Sequence, residues 1–264
     1  MPRPLRPLAI PYAVTEPTPG IHRVSPERSA TWLARGFADF AAHPAIGLTY
    51  GLTFAVVGWL LTIGLDQVGM GSMILPLGGG FLMVAPIAAA GLYEVSRRHE
   101  LGLPVSPLSC LDTVRRNAQV ADMGLALMLV FLVWIQLALF IFALFFGNRP
   151  PALGDFLGQL LEAPQGLPFL IAGTAVGLTM AAIAFSLSVV ALPMVLDRPV
   201  SAMTAMRTSL RAVRANWPNM IGWAATLAVL SLSGMGFLFV GLAVTLPVAA
   251  HASWHAYRDL VEAE

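Results

Sequence analysis

The chain has no lysine, a single cysteine and few charges of either sign. One cysteine, Cys110, excludes an internal disulfide and any cysteine-based metal site. Charged residues make up 11% of 264 positions, against ~25% in soluble proteins. That scarcity excludes a soluble globular enzyme, a disordered chain and a secreted disulfide scaffold. What is present is apolar: AVILMFWYC residues reach 57% and the mean hydropathy is +0.76. Such a composition belongs to a polytopic membrane protein.

Charge-free intervals locate the spans, because a helix crosses the ~30 Å hydrocarbon core with ~20 residues. They place spans near Ala45–Leu65, Met73–Tyr93, Met123–Phe146 and Leu167–Leu192. A further uncharged stretch of 43 residues separates Arg214 from Arg258. As one helix it would be about 64 Å long at ~1.5 Å per residue, so it must fold back. The small, turn-prone run Ser231–Gly236 is the expected break. It gives spans near Trp217–Leu232 and Phe237–Trp254.

Six spans put both termini on one side. Fourteen of the 15 arginines fall on that side, and only Arg149 falls on the other. The positive-inside bias makes the arginine-rich side cytoplasmic. Residues 1–28, rich in proline, read as a disordered cytoplasmic tail without a signal peptide. Residues 29–264 read as one membrane domain, with a short surface helix at Asp155–Glu162 in the outer loop.

Each pair of spans is preceded by a similar segment: Val24-Ser25-Pro26, Val105-Ser106-Pro107 and Val200-Ser201-Ala202. Serine is a preferred N-cap and proline suits the first helical position, so each opens a short helix. The third carries Met203, Met206, Leu210, Val213 and Trp217 on one face and Arg207, Arg211 and Arg214 on another. An amphipathic helix of that kind lies in the lipid headgroup plane. The first carries Leu33, Phe37 and Phe40, with Arg35 and Asp39 spaced to pair at i,i+4. The expected fold is therefore all-α: a helical bundle of six transmembrane helices in three hairpins, each preceded by an amphipathic interfacial helix.

Small residues mark packing faces. Gly47, Gly51 and Gly58 line one side of span one, and Gly173 and Gly177 one side of span four. Both include a GxxxG spacing, which lets backbones approach closely, within the bundle or at a dimer seam. Gln136, near the middle of span three, is expected to hydrogen-bond to another helix. Gly78-Gly79-Gly80 could open a bend; with no strand before it, it is not a phosphate loop.

Chemistry is sparse. No Asp, Glu, Arg or His stands near the centre of a span, which leaves no ionisable pathway. His251 and His255 share a face, and a metal there would need further ligands such as His99 and Glu94. Solvated interfacial histidines are the plainer reading, and neither metal nor cofactor is assigned. Glu94, Arg97, Arg98 and Glu100 form the densest charged cluster, an interfacial anchor or a salt-bridge latch to another hairpin or partner. No catalytic residue is assigned, since no nucleophile and base stand together with a supporting group.

The run Gly80-Phe81 through Pro86, Gly91, Tyr93, Glu94, Ser96, Arg97 and Arg98 to Glu100 and Gly102 resembles the domain-of-unknown-function 2189 family. So does Gly36-Phe37-Ala38-Asp39 followed by His43-Pro44 and Tyr50-Gly51. The resemblance is sharp over Gly36–Gly102 and elsewhere follows the pattern of spans. It implies a bacterial integral membrane protein and supplies no catalytic residues. Some members carry the name of a cytochrome c oxidase subunit. The catalytic haem–copper subunit has about twice as many spans and several intramembrane histidines, so that role is rejected here.

The sequence thus points to a non-enzymatic inner-membrane protein, a structural, assembly or regulatory component of a membrane complex. The alternative is a small-molecule or lipid transporter built from hairpin repeats. Expected partners are anionic lipid headgroups and another membrane protein or a second copy; nothing points to nucleic acid.

Overall fold

The computed structural model describes residues 19–147 and 162–262. Among them the regular structure is helical, apart from one isolated antiparallel bridge between Ile21 and Val261. The order is α1 (Arg28–Ala42), α2 (Pro44–Gln67), a 3-10 turn (Gly71–Met73), α3 (Ile74–Ala88) and α4 (Ala90–Glu100). Then come α5 (Pro107–Arg116), α6 (Ala118–Phe146), α7 (Gly166–Ser188) and α8 (Ala191–Asp197). The chain ends with α9 (Ala202–Ala215), α10 (Trp217–Gly236) and α11 (Leu242–Leu260). A short helix followed by two long helical segments thus recurs three times.

Local chemistry explains several boundaries. Ser106 caps α5 in a reciprocal box with Ser109, and Ser201 accepts from Thr204 N at the head of α9. The first copy differs: α1 begins at Arg28 with no side-chain cap. Pro44 stands in the first turn of α2, where its missing N–H costs nothing. Pro86 removes a backbone donor near the end of α3, and the helix restarts one residue after Ala88. The triple glycine does not bend α3. Gly79 and Gly80 instead make room for the α6 rings of Phe131 and Trp134.

Four segments are long and apolar enough to cross a membrane: Pro44–Gln67, Gly71–Glu100, Ala118–Phe146 and Gly166–Asp197. Burial within their most apolar windows is only 17–33%. The core lies elsewhere, where α4, α8 and α11 meet: Ala90–Ser96, Ala191–Leu196 and most of α11 are buried. α11 is the hub, packed on α1, α2, α4 and α10.

Two sequence expectations are corrected here. The chain reversal between α10 and α11 falls at Phe237–Gly241 and not at Ser231–Gly236, which stays helical. The small residues serve packing instead: Ser231 is buried, and Gly234 has Thr245 and Leu242 of α11 against it. The turn places Leu238 and Phe239 at positive φ, 52° and 62°. Trp59 Nε1 donates to Leu238 O at 2.6 Å, and the Phe239 ring covers Gly58, so α2 holds the turn. Second, residues 20–26 are not a loose tail. His22 N donates to Leu260 O at 3.0 Å, Glu262 N to Gly20 O at 3.1 Å, and Val24 N to Asn216 Oδ1 at 2.9 Å. The surface helix at Asp155–Glu162 and residues 1–18 of the tail lie outside the described residues, apart from the exposed Glu162.

Candidate functional site

α1 turns Trp32, Gly36, Asp39 and Phe40 inward, at spacings of one helical face. Gly36 lacks a side chain where the backbone of Ala252 passes, which brings α1 flush against α11. Trp32 fills the neighbouring space, edge-on to Trp223 at 5.3 Å, and donates to Asp259 Oδ2 at 2.8 Å. That rotation corrects the expected face: Phe37 is 57% exposed, and Asp39 is buried instead of pairing with Arg35. Arg35 reaches Asp259 at 3.7 Å.

Asp39 becomes the centre of a polar cluster. Its Oδ2 accepts from Ser96 Oγ at 2.6 Å and lies 3.0 Å from His255 Nε2. His99 Nε2 is 4.0 Å from Oδ1, and His99 Nδ1 is 3.0 Å from His43 Nε2. Ser96 Oγ is also 2.8 Å from His251 Nδ1. The hydroxyl has one proton, and an ionised carboxylate can only accept. Ser96 therefore donates to Asp39 and accepts from His251 Nδ1–H, which leaves Nε2 of His251 as the bare nitrogen. That atom is buried without a hydrogen-bond partner among the described residues.

Burial pushes the Asp39 carboxyl up, but hydrogen bonds from His255 and Ser96 and the charge of neighbouring histidines outweigh it. The carboxyl is held below its ordinary value. Four of the chain's five histidines are thus linked to one carboxylate at the junction of α1, α4 and α11, His255 and His99 directly, His251 through Ser96 and His43 through His99. Among the described residues no three His, Cys, Asp or Glu side chains are arranged to hold a metal ion.

A second network lies beside it. Glu94 is fully buried and satisfied within α4, by Arg97 at 2.7 and 3.1 Å and Arg98 at 2.7 Å. It takes no part in the histidine cluster. Arg98 continues to Pro104 O and Thr113, tying α4 to α5. The tie between segments runs through Glu100, which accepts from Trp254 Nε1 at 2.9 Å and pairs with Arg258 at 3.0 Å. Arg258 reaches Asp197 at 3.2 Å, and Asp197 accepts from Tyr257 Oη at 2.6 Å. The ends of α4, α8 and α11 are locked together there.

The other expected residues fall as follows. Gly47 and Gly51 face α11: Phe40 and Pro247 crowd Gly47, and the Leu242–Ala243 backbone crosses Gly51. Gly91 receives the Tyr50 hydroxyl, Phe81 packs near Phe54 at 6.1 Å, and Tyr93 is buried. Gly177 lies under the Trp134 ring, whereas Gly173 faces no neighbour within 4 Å. Gln136 is exposed, which corrects its expected role between helices. Two positions away, Trp134 occupies the packed face of α6 and donates to Pro76 O at 2.7 Å. Arg207, Arg211 and Arg214 are exposed on α9, together with Met203 and Leu210, and Trp217, also exposed, opens α10. The inner face of α9 is instead Ala202, Ala205, Thr208, Ser209 and Ala212.

The apolar segments agree with one comparison. Residues 74–197 match the DUF2189 family model, described as a predicted integral membrane protein. The match spans just under half of the chain. No curated protein and no solved structure matches the chain. The DUF2189 region includes Ser96, His99 and the Glu94 network. Asp39, His43, His251 and His255 lie outside it, on helices that close over it.

Proposed function

We propose that this protein is a six-span inner-membrane protein of a bacterium, with both termini cytoplasmic, serving as a non-enzymatic structural or regulatory component of a membrane complex. The carrying observation is the division of labour in the chain. Its membrane-competent segments leave most of their apolar surface uncovered, while its polar groups gather at one junction. Leu60 of α2 and Phe140 of α6 are 67% and 64% exposed, on faces with no partner helix among the described residues. Lipid can cover such faces, and so can a second membrane protein.

α10 and α11 are counted as spans five and six because they form an antiparallel pair within the same bundle. The polar residues of α11 lie at its last turns, toward the arginine-rich side.

Two measurements test this reading. A C-terminal reporter active only in the cytoplasm is expected to work, and one active only in the periplasm is expected to fail. A tagged pull-down from native membranes in mild detergent is expected to retain a stoichiometric membrane partner. Recovery of the chain alone would instead favour the transporter reading, which one observation supports: an apolar groove runs between α7 and α10.

A further inference from the structure

α9 lies along one rim of the bundle. At its head, Ala202 N donates to Gln119 Oε1, in the first turn of α6, at 2.6 Å. At its middle, Ser209 Oγ accepts from Val190 N at 3.2 Å, just beyond the end of α7. At its tail, Asn216 alone separates it from Trp217, the exposed first residue of α10. The starts of α6 and α10 and the end of α7 therefore meet α9 on one side of the bundle. A crossing takes ~20 residues. Counted from Gly166, it ends near Phe185, about one turn short of Val190. α9 thus stands at the depth of lipid headgroups, where an exposed indole such as Trp217 is also at home.

Its two faces differ. The packed face is small, as Ala205, Ser209 and Ala212 show, and lies close on α7 and α8. The open face carries Arg207, Arg211 and Arg214, with Met203 and Leu210 exposed among them. Nothing in the chain offsets that charge: no Asp or Glu occurs between Asp197 and Asp259. Most arginines elsewhere meet a carboxylate of their own chain. Arg28 and Arg35 share Asp259, Arg97 and Arg98 share Glu94, and Arg258 reaches Glu100 and Asp197. On α9, by contrast, Arg211 donates to Pro19 O at 3.4 Å, and no hydrogen bond or ion pair reaches Arg207 or Arg214 among the described residues. Arg207 and Arg211 stand at i,i+4, and Arg211 and Arg214 at i,i+3. Like charges at those spacings repel on an isolated helix. An anionic surface relieves that repulsion, and a helix mixing arginine with exposed apolar side chains suits a lipid one.

We infer that the open face of α9 binds the headgroup phosphates of anionic phospholipid in the leaflet that it borders. The arginines meet the phosphates, and Met203 and Leu210 enter the leaflet beside them. This binding requires that α6 and α7 cross the membrane. It requires neither six spans nor a partner protein, so its failure and that of the proposed function are separate outcomes.

The test uses the full chain, purified in mild detergent and equilibrated with equal amounts of phosphatidylglycerol and phosphatidylcholine. Retained lipid is counted by native mass spectrometry. The wild type is expected to retain phosphatidylglycerol in preference, and less so as salt rises. Arg207→Gln, Arg211→Gln and Arg214→Gln together are expected to cut that preference by roughly fivefold or more, the scale of one basic residue at an anionic surface. The three lysine replacements at the same positions are expected to keep it. Removing as many charges at paired arginines, by Arg28→Gln, Arg35→Gln and Arg116→Gln, is expected to leave it near wild type. Thermal midpoints close to wild type show that each variant is folded. A nitroxide on Leu210→Cys carries the test without loss of arginine, since Cys110 is buried and stays unlabelled. In phosphatidylglycerol-containing vesicles it is expected to be relaxed more by oxygen, which concentrates in lipid, than by a water-soluble nickel chelate. An unchanged preference in the folded glutamine variant would overturn the proposal, as would an equal loss in the paired-arginine control. So would a label relaxed chiefly by nickel, which would turn the face to water and assign it to an acidic protein surface.

Discussion

Asp39 and His255 stand 3.0 Å apart although 216 residues separate them. Asp39 reaches this position because Gly36 lets α1 lie directly on the α11 backbone. The contact joins the first and last helices of the structure over the DUF2189 region.

Removing the charge should weaken that closure. Asp39→Asn keeps an acceptor for Ser96 but loses the charge-assisted bond to His255. The expected cost is about 1.5–3 kcal/mol, the range for hydrogen bonds to charged groups. Arg35→Gln is the contrast. Its ion pair with Asp259 is about half exposed on the arginine side and 3.7 Å long, so its loss should cost under ~1 kcal/mol. Thermal midpoints in detergent read both. Equal shifts would contradict the buried position of Asp39.

The acid limb of stability should carry the same signature. The Asp39 carboxyl lies below its ordinary value of 3.8 in the fold. A carboxyl lowered by folding contributes stability that is present above the unfolded value and lost as pH falls through the folded one. Its contribution is therefore constant across neutral pH and disappears below about pH 4. Midpoints measured from pH 3 to 8 should fall less steeply at the acid end in Asp39→Asn. Parallel acid limbs would assign acid loss to other groups.

The glycines should separate into two kinds. Gly51→Ala drives a methyl into the α11 backbone and should destabilise by ~1–3 kcal/mol, as overpacking does. Gly173→Ala meets nothing within 4 Å and should be neutral or stabilising by up to ~1 kcal/mol through helix propensity. Expression level and thermal midpoint of the two variants distinguish them.

Cys110 gives a probe without mutation. It is 2% exposed, and burial pushes its thiol up from the ordinary value. A buried neutral thiol reacts slowly. Maleimide at neutral pH should label the folded protein far more slowly than the denatured one. Rapid labelling in the membrane would show that α5 leaves α4.

Much of this was legible in the sequence. The charge-free intervals locate the apolar helices because a span cannot carry unpaired charge. The serine caps and arginine stripe mark α5 and α9, and the glycine spacing marks the face of α2. The polar junction was harder to read. Arg35 and Asp39 share a helix at pairing distance, and local spacing cannot tell that Asp39 faces a helix formed 200 residues later. The buried set Trp32, Gly36, Asp39 and Phe40 was the available signal, since Trp32 and Gly36 share a face with the carboxylate. Ser231–Gly236 misled because small residues serve both turns and tight helix contacts. Gln136 misled because polarity alone does not say which side of a helix faces the bundle.

The Asp39–His255 contact also sets a schedule. On a ribosome adding ~5–20 residues each second, His255 follows Asp39 by roughly 10–40 s. Throughout that interval α1 has no inner partner, and its carboxylate must stay in water while the helices between are threaded into the bilayer. Assembly of this junction therefore waits on α11, and any factor that attends the nascent chain before then meets α1 as a free amphipathic helix.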